Sequence, residues 1–432
     1  MKLRQTAAAL VTAIALTAGV ACSRGDSNQA TGETRDPALP TAQALPDDFA
    51  RVLAEVAAVR ELPPPSGMKV GFVPRSQVVA LLDSLTTDED RRSFATTTTL
   101  YRLLGHLGKE QDFLSVYRSF GAAAVAGLYS PLEDTLWVVS DETNPAFAKL
   151  PAQEKETLAH ELVHAIQDGA FDSVAQYRSV ADDLDASLAW TALVEGDAMT
   201  HQQRWAQKYL AIPVGTGAGR AMLLASPVSM QAVPAAIARE LLFPYTTGAE
   251  WVGDVRSRLG AAGVTSLFRA LPRNTSYVLH PELLNSEWKA AAVSLPDLSK
   301  ALGSGFARES GGTFGEFSLR NWLQSRLKAL DAANAAAGWD GDRYDVYVHG
   351  KESVAVFRLR FRDEAEARQF AEAQQAYLKA SNAAPAGGDA RVVATPDGIA
   401  TATTGARGVE VVFALASSPE LAKRALDALS GS

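Results

Sequence analysis

The residues with the clearest chemical potential form one short run, Thr157 to Asp168, in which two histidines flank a glutamate. His160 and His164 are four positions apart, and on a helix this spacing puts both imidazoles on one face, where they can bind one metal ion. Glu161 can reach a water on that metal without binding the metal itself. Zinc with three protein ligands lowers the pKa of such a water to about 7, and a nearby carboxylate can take the proton as a carbonyl group is attacked. The run therefore predicts one Zn²⁺ per chain, with Glu161 as the general base.

The flanking residues predict that this run lies on a buried amphipathic helix. Pro151 marks a start, and Gly169 is expected to end the helix as its C′ residue. An apolar face runs alongside the two histidines and is made of Leu158, Leu162, Val163 and Ile166.

The pattern H-E-x-x-H is the zincin signature, so the chain resembles a zinc metallopeptidase. Metzincins carry a glycine three residues and a histidine six residues after the second histidine. Gln167 and Ala170 occupy those positions here, which excludes that subclass. The gluzincin pattern instead takes a glutamate from a later helix, and Glu195 lies within a predicted helix over Asp185–Tyr209. The resemblance therefore implies a gluzincin-type site with His160, His164 and Glu195 as metal ligands.

Gly196 supports this assignment, because a glycine inside a helix costs about 1 kcal/mol and needs a structural reason. We expect that reason to be a close approach of two helix backbones, since Glu195 must reach the metal held by the first helix. Four other residues remain alternatives for the third ligand: Asp182, Asp183, Asp185 and His201.

The resemblance also implies where substrate binds, because zincins hold it as an added strand on a sheet edge just before the metal helix. Gly127–Ser130 and Thr135–Val139 read as a hairpin in that place. We expect Leu136, Trp137 and Val138 to form the substrate-binding edge strand.

Further roles follow from the same resemblance. Asp168 lies four residues after His164 and can accept its second ring N–H, with Asp197 as an alternative for this orienting role. Thermolysin-like enzymes use a downstream Tyr and His as donors to the oxyanion, which here implies Tyr245 and His280. Segments between Lys69 and Phe370 resemble uncharacterised bacterial zincin-like lipoproteins.

The N-terminus predicts export and lipidation. Two basic residues precede an apolar run, Ala7 to Val20, that is too short to span a bilayer and typical of a signal peptide. It leads into Cys22, the only cysteine, in a context that resembles the bacterial lipobox, although Gly19 stands where Leu is usual. We expect residues 1–22 to be a signal peptide, Cys22 to be lipidated, and the protein to be anchored in the cell envelope. The alternative is a secreted protein cut near Ala21 with a free thiol.

Composition divides the rest of the chain. Residues 23–46 are small and polar and predict a flexible tether. Residues 47–338 are mainly helical and predict the metallopeptidase domain. Residues 339–432 predict a small α+β subdomain with the order β-β-α-β-β-β-α, which we expect to be ferredoxin-like. Its predicted strands include Val354–Phe361, Ile399–Thr403 and Val409–Ala414. The fold class is therefore α+β, mainly helical. A net charge of −8 without a basic cluster argues against nucleic acid as a partner.

Three functions fit these patterns. The first is a lipid-anchored zinc peptidase that acts on a protein or peptide substrate. The second is an envelope lipoprotein that binds zinc without proteolysis, as a recognition or chaperone-like module. The third is a zinc site that only stabilises the fold. Glu161 favours the first, because neither a binding site nor a structural site needs a general base there.

Overall fold

The computed structural model describes residues 39–124, 126–142, 144–212 and 233–430. The predicted signal peptide, Cys22 and most of the predicted tether lie outside these residues. The fold is mixed α+β with two sheets, as the sequence predicts at the level of class. None of the helices within the described ranges is both long enough and apolar enough to span a membrane.

Helices make up most of the regular structure in the described residues, as the sequence predicts. In chain order they are α1 Asp47–Arg60, α2 Val78–Leu85, α3 Asp88–Leu103, α4 Phe113–Ala124, α5 Ala152–Phe171, α6 Ser173–Arg178, α7 Leu184–Tyr209, α8 Ala235–Leu242, α9 Ala249–Arg269, α10 Ser276–Leu279, α11 Ser299–Leu302, α12 Gly315–Gln324, α13 Ala329–Ala336, α14 Glu364–Ala380 and α15 Pro419–Ser430. A π-helical turn, Pro244–Gly248, leads directly into α9.

The strands form two separate sheets. In chain order they are β1 Gln43–Ala44, β2 Lys69–Val73, β3 Gly127–Ser130, β4 Thr135–Val139, β5 Ala307–Gly312, β6 Trp339–His349, β7 Glu352–Phe361, β8 Ala384–Pro385, β9 Val392–Ala394, β10 Ala400–Arg407 and β11 Glu410–Ala416. The first sheet has the order β1-β2-β4-β3, and the second has the order β5-β6-β7-β11-β10-β9-β8.

The first sheet corrects two predictions. β4 pairs with β2 in parallel and with β3 in antiparallel orientation, so Leu136, Trp137 and Val138 lie on an interior strand and the predicted substrate edge is wrong. The edge strand next to β4 is β3. The local hairpin pattern could not predict that β4 is interior, because its other partner, β2, comes from a distant segment of the chain. β1 pairs with β2, and Leu39 is buried, so the predicted tether 23–46 extends too far into the folded body.

The metal helix α5 runs past its predicted end. Gly169 remains helical, and the helix ends at Phe171, followed by the C-cap residue Asp172, whose φ of 53° is left-handed. A Cβ atom at Gly169 would lie 3.1 Å from Pro65 Cβ, so this glycine packs closely against Pro65. Asp172 also accepts a hydrogen bond from Ala175 N at 3.0 Å and so begins α6.

The second sheet changes the predicted domain boundary. β5 is its first strand, so a boundary between residues 338 and 339 would cut through the sheet. The pairings are antiparallel, and the elements from β6 onward run β-β-α-β-β-β-β-α. The predicted order β-β-α-β-β-β-α is therefore one strand short, and the ferredoxin-like assignment, which requires the order β-α-β-β-α-β, is wrong.

Helices cover both faces of this sheet. α14 packs against one face, and α15 packs against the other, because inward-facing residues alternate along β7 and β11. Trp322 of α12 stacks on Phe413, which stacks on Phe357, with ring centroids 5.4 and 4.5 Å apart. The same apolar cluster includes Leu100 and Tyr101 of α3. One core therefore joins the sheet to the helical body.

Candidate metal centre

Two helices bring three ligand side chains together. His160 and His164 lie on α5 and Glu195 lies on α7, and their ligand atoms are all within 4.8 Å of one another. Glu195 Oε2 is 3.0 Å from His160 Nε2 and 3.5 Å from His164 Nε2. All three residues are buried, at 1%, 2% and 2% exposure. This group could hold a metal ion, and among the described residues no other His, Cys, Asp or Glu group has this geometry.

The alternatives for the third ligand have other partners. His201 Nδ1 contacts Asp197, at 2.8 Å from its backbone oxygen and 2.9 Å from Oδ1. Asp183 caps the start of α7 through Ala186 N, and Asp185 accepts hydrogen bonds from Thr275. Neither these residues nor Asp182 belong to the three-residue group.

The donor set suits a divalent transition-metal ion. Two imidazoles and one carboxylate match the ligands of catalytic zinc sites, where a further position stays open. Within the described residues His164 Nε2 is buried without a hydrogen-bond partner, which a metal would relieve. Burial opposes ionisation of Glu195, but His164 and His160 outweigh it and lower its pKa to about 2. The centre therefore provides a carboxylate anion for a cation.

Glutamines orient the two histidines. His160 Nδ1 lies 3.1 Å from Gln202 Oε1, and His164 Nδ1 lies 2.8 Å from Gln167 Oε1. Sequence reasoning did not identify either glutamine. Helical spacing was the available signal, because Gln167 lies three residues after His164 and Gln202 seven residues after Glu195.

Asp168 does not orient His164. Its Oδ2 accepts a hydrogen bond from the Tyr129 hydroxyl at 3.1 Å, and its Oδ1 accepts one from Ser173 N at 3.0 Å. The prediction fails because Asp168 contacts β3 and the start of α6, whereas Gln167 takes the position beside the imidazole.

Asp197 hydrogen-bonds to Gln167, the residue that contacts His164 Nδ1. Its Oδ2 accepts hydrogen bonds from Gln167 Nε2 at 2.9 Å and from Arg60 Nε at 2.8 Å, and the Asp197 and Arg60 side chains are fully buried. Burial opposes ionisation of Asp197, but His201 and Arg60 outweigh it and lower its pKa below the usual range.

Glu161 lies beside the ligands with one carboxylate oxygen engaged. Its Oε2 accepts a hydrogen bond from Tyr129 N on the edge strand β3 at 2.8 Å. Its Oε1 is buried and makes no hydrogen bond to the described residues. Burial raises the pKa of Glu161 to about 8, which His164 partly opposes. A buried carboxyl group beside the three ligands with one free oxygen is placed to exchange a proton with a water bound there.

The two predicted oxyanion donors lie in different surroundings. Tyr245 stacks over His160, with ring centroids 6.2 Å apart, and its hydroxyl hydrogen-bonds to Glu195. His280 is half-exposed and lies 2.7 Å from Glu316 Oε1, which raises its pKa. The structure therefore brings Tyr245 to the centre, whereas the contacts of His280 are with Glu316 and Glu282.

Close helix packing positions Tyr245. A Cβ atom at Gly196 would lie 2.4 Å from Gly248 O, and one at Gly248 would lie 2.6 Å from Ala192 O. The expected close approach at Gly196 is therefore present, but its partner is the π-helical turn Pro244–Gly248 rather than α5. Such turns are frequent at functional sites.

Comparison with known proteins covers only the C-terminal part of the chain. No curated protein and no solved structure matches it significantly. One family model, described as "Domain of unknown function (DUF8575)", matches residues 304–426. The match spans the second sheet from just before β5 and does not include the metal centre.

Proposed function

We propose that this protein is a zinc-dependent peptidase that hydrolyses peptide bonds in a protein or peptide substrate. The observation that carries the proposal is the buried group of His160, His164 and Glu195 with Glu161 beside it. A site that only binds metal has no need for a carboxyl group with a free oxygen at that position.

Each residue of the centre has a separate role in the proposed reaction. His160, His164 and Glu195 would hold the ion, which would supply Lewis acidity that polarises a carbonyl group and lowers the pKa of water. Glu161 accepts a proton from the attacking water and returns it to the leaving amine. Tyr245, whose hydroxyl hydrogen-bonds to Glu195 here, would turn that hydrogen to the oxygen on which negative charge develops once substrate is bound. Burial strengthens each of these interactions, because the local dielectric is low.

The same burial favours a second candidate, a zinc site that binds or stabilises without hydrolysis. Glu161 is fully buried, and the three ligands are at most 2% exposed. A peptide therefore has to reach the centre through a more open conformation than this one. A structural site usually recruits a fourth protein ligand, and the described residues offer only three here.

Metal analysis with a peptide library separates these candidates. The purified protein should contain one zinc per chain by mass spectrometry of the metal. It should cleave members of a broad peptide library, lose cleavage on chelation, and regain it when zinc is returned. Bound zinc without cleavage of any peptide or unfolded protein would support the second candidate, and absence of zinc would refute both.

We also propose a lipid anchor at Cys22, which would place the centre in the bacterial envelope. The basis is the lipobox-like context of that residue. Metabolic labelling with a fatty acid in a bacterial host should mark the wild-type chain and not Cys22→Ala. Equal labelling of both would refute the anchor and leave the peptidase proposal intact.

A further inference from the structure

A chain of buried hydrogen bonds connects His164 to the end of α1. It runs from His164 Nδ1 to Gln167 Oε1 at 2.8 Å, from Gln167 Nε2 to Asp197 Oδ2 at 2.9 Å, and from Arg60 Nε to the same Oδ2 at 2.8 Å. The four residues are at most 2% exposed. They come from α1, α5 and α7, and Arg60 and Asp197 are 137 residues apart.

The donor and acceptor of each hydrogen bond can be assigned by starting from Arg60, at the end of the chain opposite His164. Arg60 can only donate, so Asp197 Oδ2 accepts from it. Gln167 Nε2 also lies 2.9 Å from Val194 O, which can only accept. The amide NH₂ of Gln167 must therefore point toward Asp197 and Val194, and its carbonyl oxygen must point toward His164.

The orientation of Gln167 determines the chemistry of His164. Because Gln167 Oε1 is an acceptor, His164 Nδ1 carries a hydrogen and donates it. The lone pair needed for a metal then belongs to Nε2, the atom that lies 3.5 Å from Glu195 Oε2. A flipped amide would put its NH₂ against Nδ1, which would then accept the hydrogen bond. The ring hydrogen would lie on Nε2 instead, where it would block metal binding.

We propose that Arg60, Asp197 and Gln167 are positioning residues that orient His164 for metal binding by fixing the hydrogen on Nδ1. The proposal rests on the proposed zinc centre. Hydrogen bonds to the outer nitrogen of a metal-bound histidine typically contribute 10- to 100-fold to metal affinity. Here the contribution depends on an ion pair two hydrogen bonds away from the ring.

Arg60 has a specific part in this arrangement. Asp197 is fully buried and only two residues from the ligand Glu195, so an unpaired carboxylate there would be costly. Arg60 neutralises it, and Thr265 Oγ1 accepts a further hydrogen bond from Arg60 Nη1 at 3.3 Å. The ion pair thereby keeps Asp197 as an acceptor for the Gln167 amide.

A double-mutant cycle that measures zinc affinity tests this chain of hydrogen bonds from Arg60 to His164, which we call the relay. We expect Gln167→Met and Asp197→Asn each to weaken zinc binding about 10- to 100-fold in a competition titration. In the Gln167→Met background, Asp197→Asn should cause almost no further loss, because its influence on the metal passes through Gln167. Asp168→Asn is the matched control, since this neighbouring carboxylate contacts Tyr129 and Ser173 instead; it should leave zinc affinity unchanged.

Two further measurements separate positioning from general structure. The cobalt-substituted Gln167→Met protein should show a changed visible absorption spectrum, while the metal-free protein unfolds at the wild-type denaturant midpoint. If Asp197→Asn does not fold, Gln167→Met alone decides the matter: unchanged zinc affinity overturns the relay. Full additivity of the two losses also overturns it. A wild-type protein that binds no zinc refutes the proposed function itself, whereas wild-type binding with unaffected variants refutes only the relay.

Discussion

Glu161 and His164 share one face of α5, but they have opposite tasks in the proposed chemistry. His164 offers a lone pair to the metal, and its hydrogen is directed away toward Gln167. Glu161 is held by the backbone of β3 through one oxygen, which leaves the other for proton transfer. This division makes a substitution at residue 161 informative, because it can remove the base without touching a ligand.

We predict that Glu161→Gln retains one zinc per chain and loses about 10²- to 10⁴-fold in peptide hydrolysis, because an amide cannot accept the proton. Zinc content and the hydrolysis rate of one identified peptide are the measurements. His160→Gln is the comparison, since it removes a ligand and should reduce zinc content as well. Loss of zinc from Glu161→Gln would contradict the separation of roles.

At the scale of elements, the centre depends on how closely α7 approaches the turn that carries Tyr245. Gly196 and Gly248 face each other across this contact, and a methyl group on either would meet a backbone carbonyl. Backbone atoms cannot turn aside as a flexible side chain can. The two elements would have to separate, and the Tyr245 hydroxyl would move away from Glu195.

We expect Gly196→Ala to lower the free energy of unfolding by about 1–3 kcal/mol through overpacking, despite the better helix propensity of alanine. Gly253→Ala on α9 is the matched control, because the nearest atom to its new Cβ would be Thr200 Oγ1 at 4.0 Å. That variant should gain about 0.5–1 kcal/mol. Urea unfolding of both variants measures the difference, and equal effects would refute the packing argument.

Local patterns in the sequence predicted the helices and strands well, but they could not predict which distant strands pair. The helix periods around His160 and Glu195 predicted α5 and α7, and strand alternation predicted β7, β10 and β11 within a few residues. The position of β4 between β2 and β3 depends on a segment more than sixty residues earlier. Asp168 failed as a partner of His164 for a related reason: helical spacing permits several neighbours, and tertiary packing selects one.

At the scale of the whole molecule, α5 and α7 are held by apolar cores that do not include the candidate metal ligands. Leu162 and Ile166 of α5 belong to one apolar cluster, and Trp190 and Leu193 of α7 belong to another. Because these clusters bury large side chains, we expect the fold to form without a metal ion, unlike a small metal-dependent domain.

We therefore predict that chelation leaves the far-ultraviolet circular dichroism spectrum unchanged and lowers the thermal midpoint. The loss of stability should equal the binding free energy at the zinc concentration used, about 4 kcal/mol at a thousandfold excess over the dissociation constant. Calorimetry with and without chelator measures it. A chain that unfolds when zinc is removed would assign the metal a structural role.

A buried histidine, His106, lies where the helical body packs against the second sheet, and it should make the free energy of unfolding depend on pH. His106 follows α3, is 6% exposed, and packs against Tyr101, whose cluster extends into β7 and β11. Burial lowers the pKa of His106 from 6.5 to about 3. Below pH 6.5 the unfolded chain therefore binds a proton that the folded chain does not, so stability falls as the pH falls from 6.5 toward 3.

The expected size of this effect is about 1.4 kcal/mol between pH 7.5 and 5.5, since each pH unit below 6.5 adds up to that amount. His106→Gln should remove this part of the pH dependence, measured as the difference between wild-type and variant unfolding free energies at the two pH values. His349→Gln is the control, because that histidine is half-exposed at the end of β6. If wild type and His106→Gln lose equal stability over this range, His106 accepts its proton in the folded state. The packing between the helical body and the second sheet must then tolerate a charged imidazole.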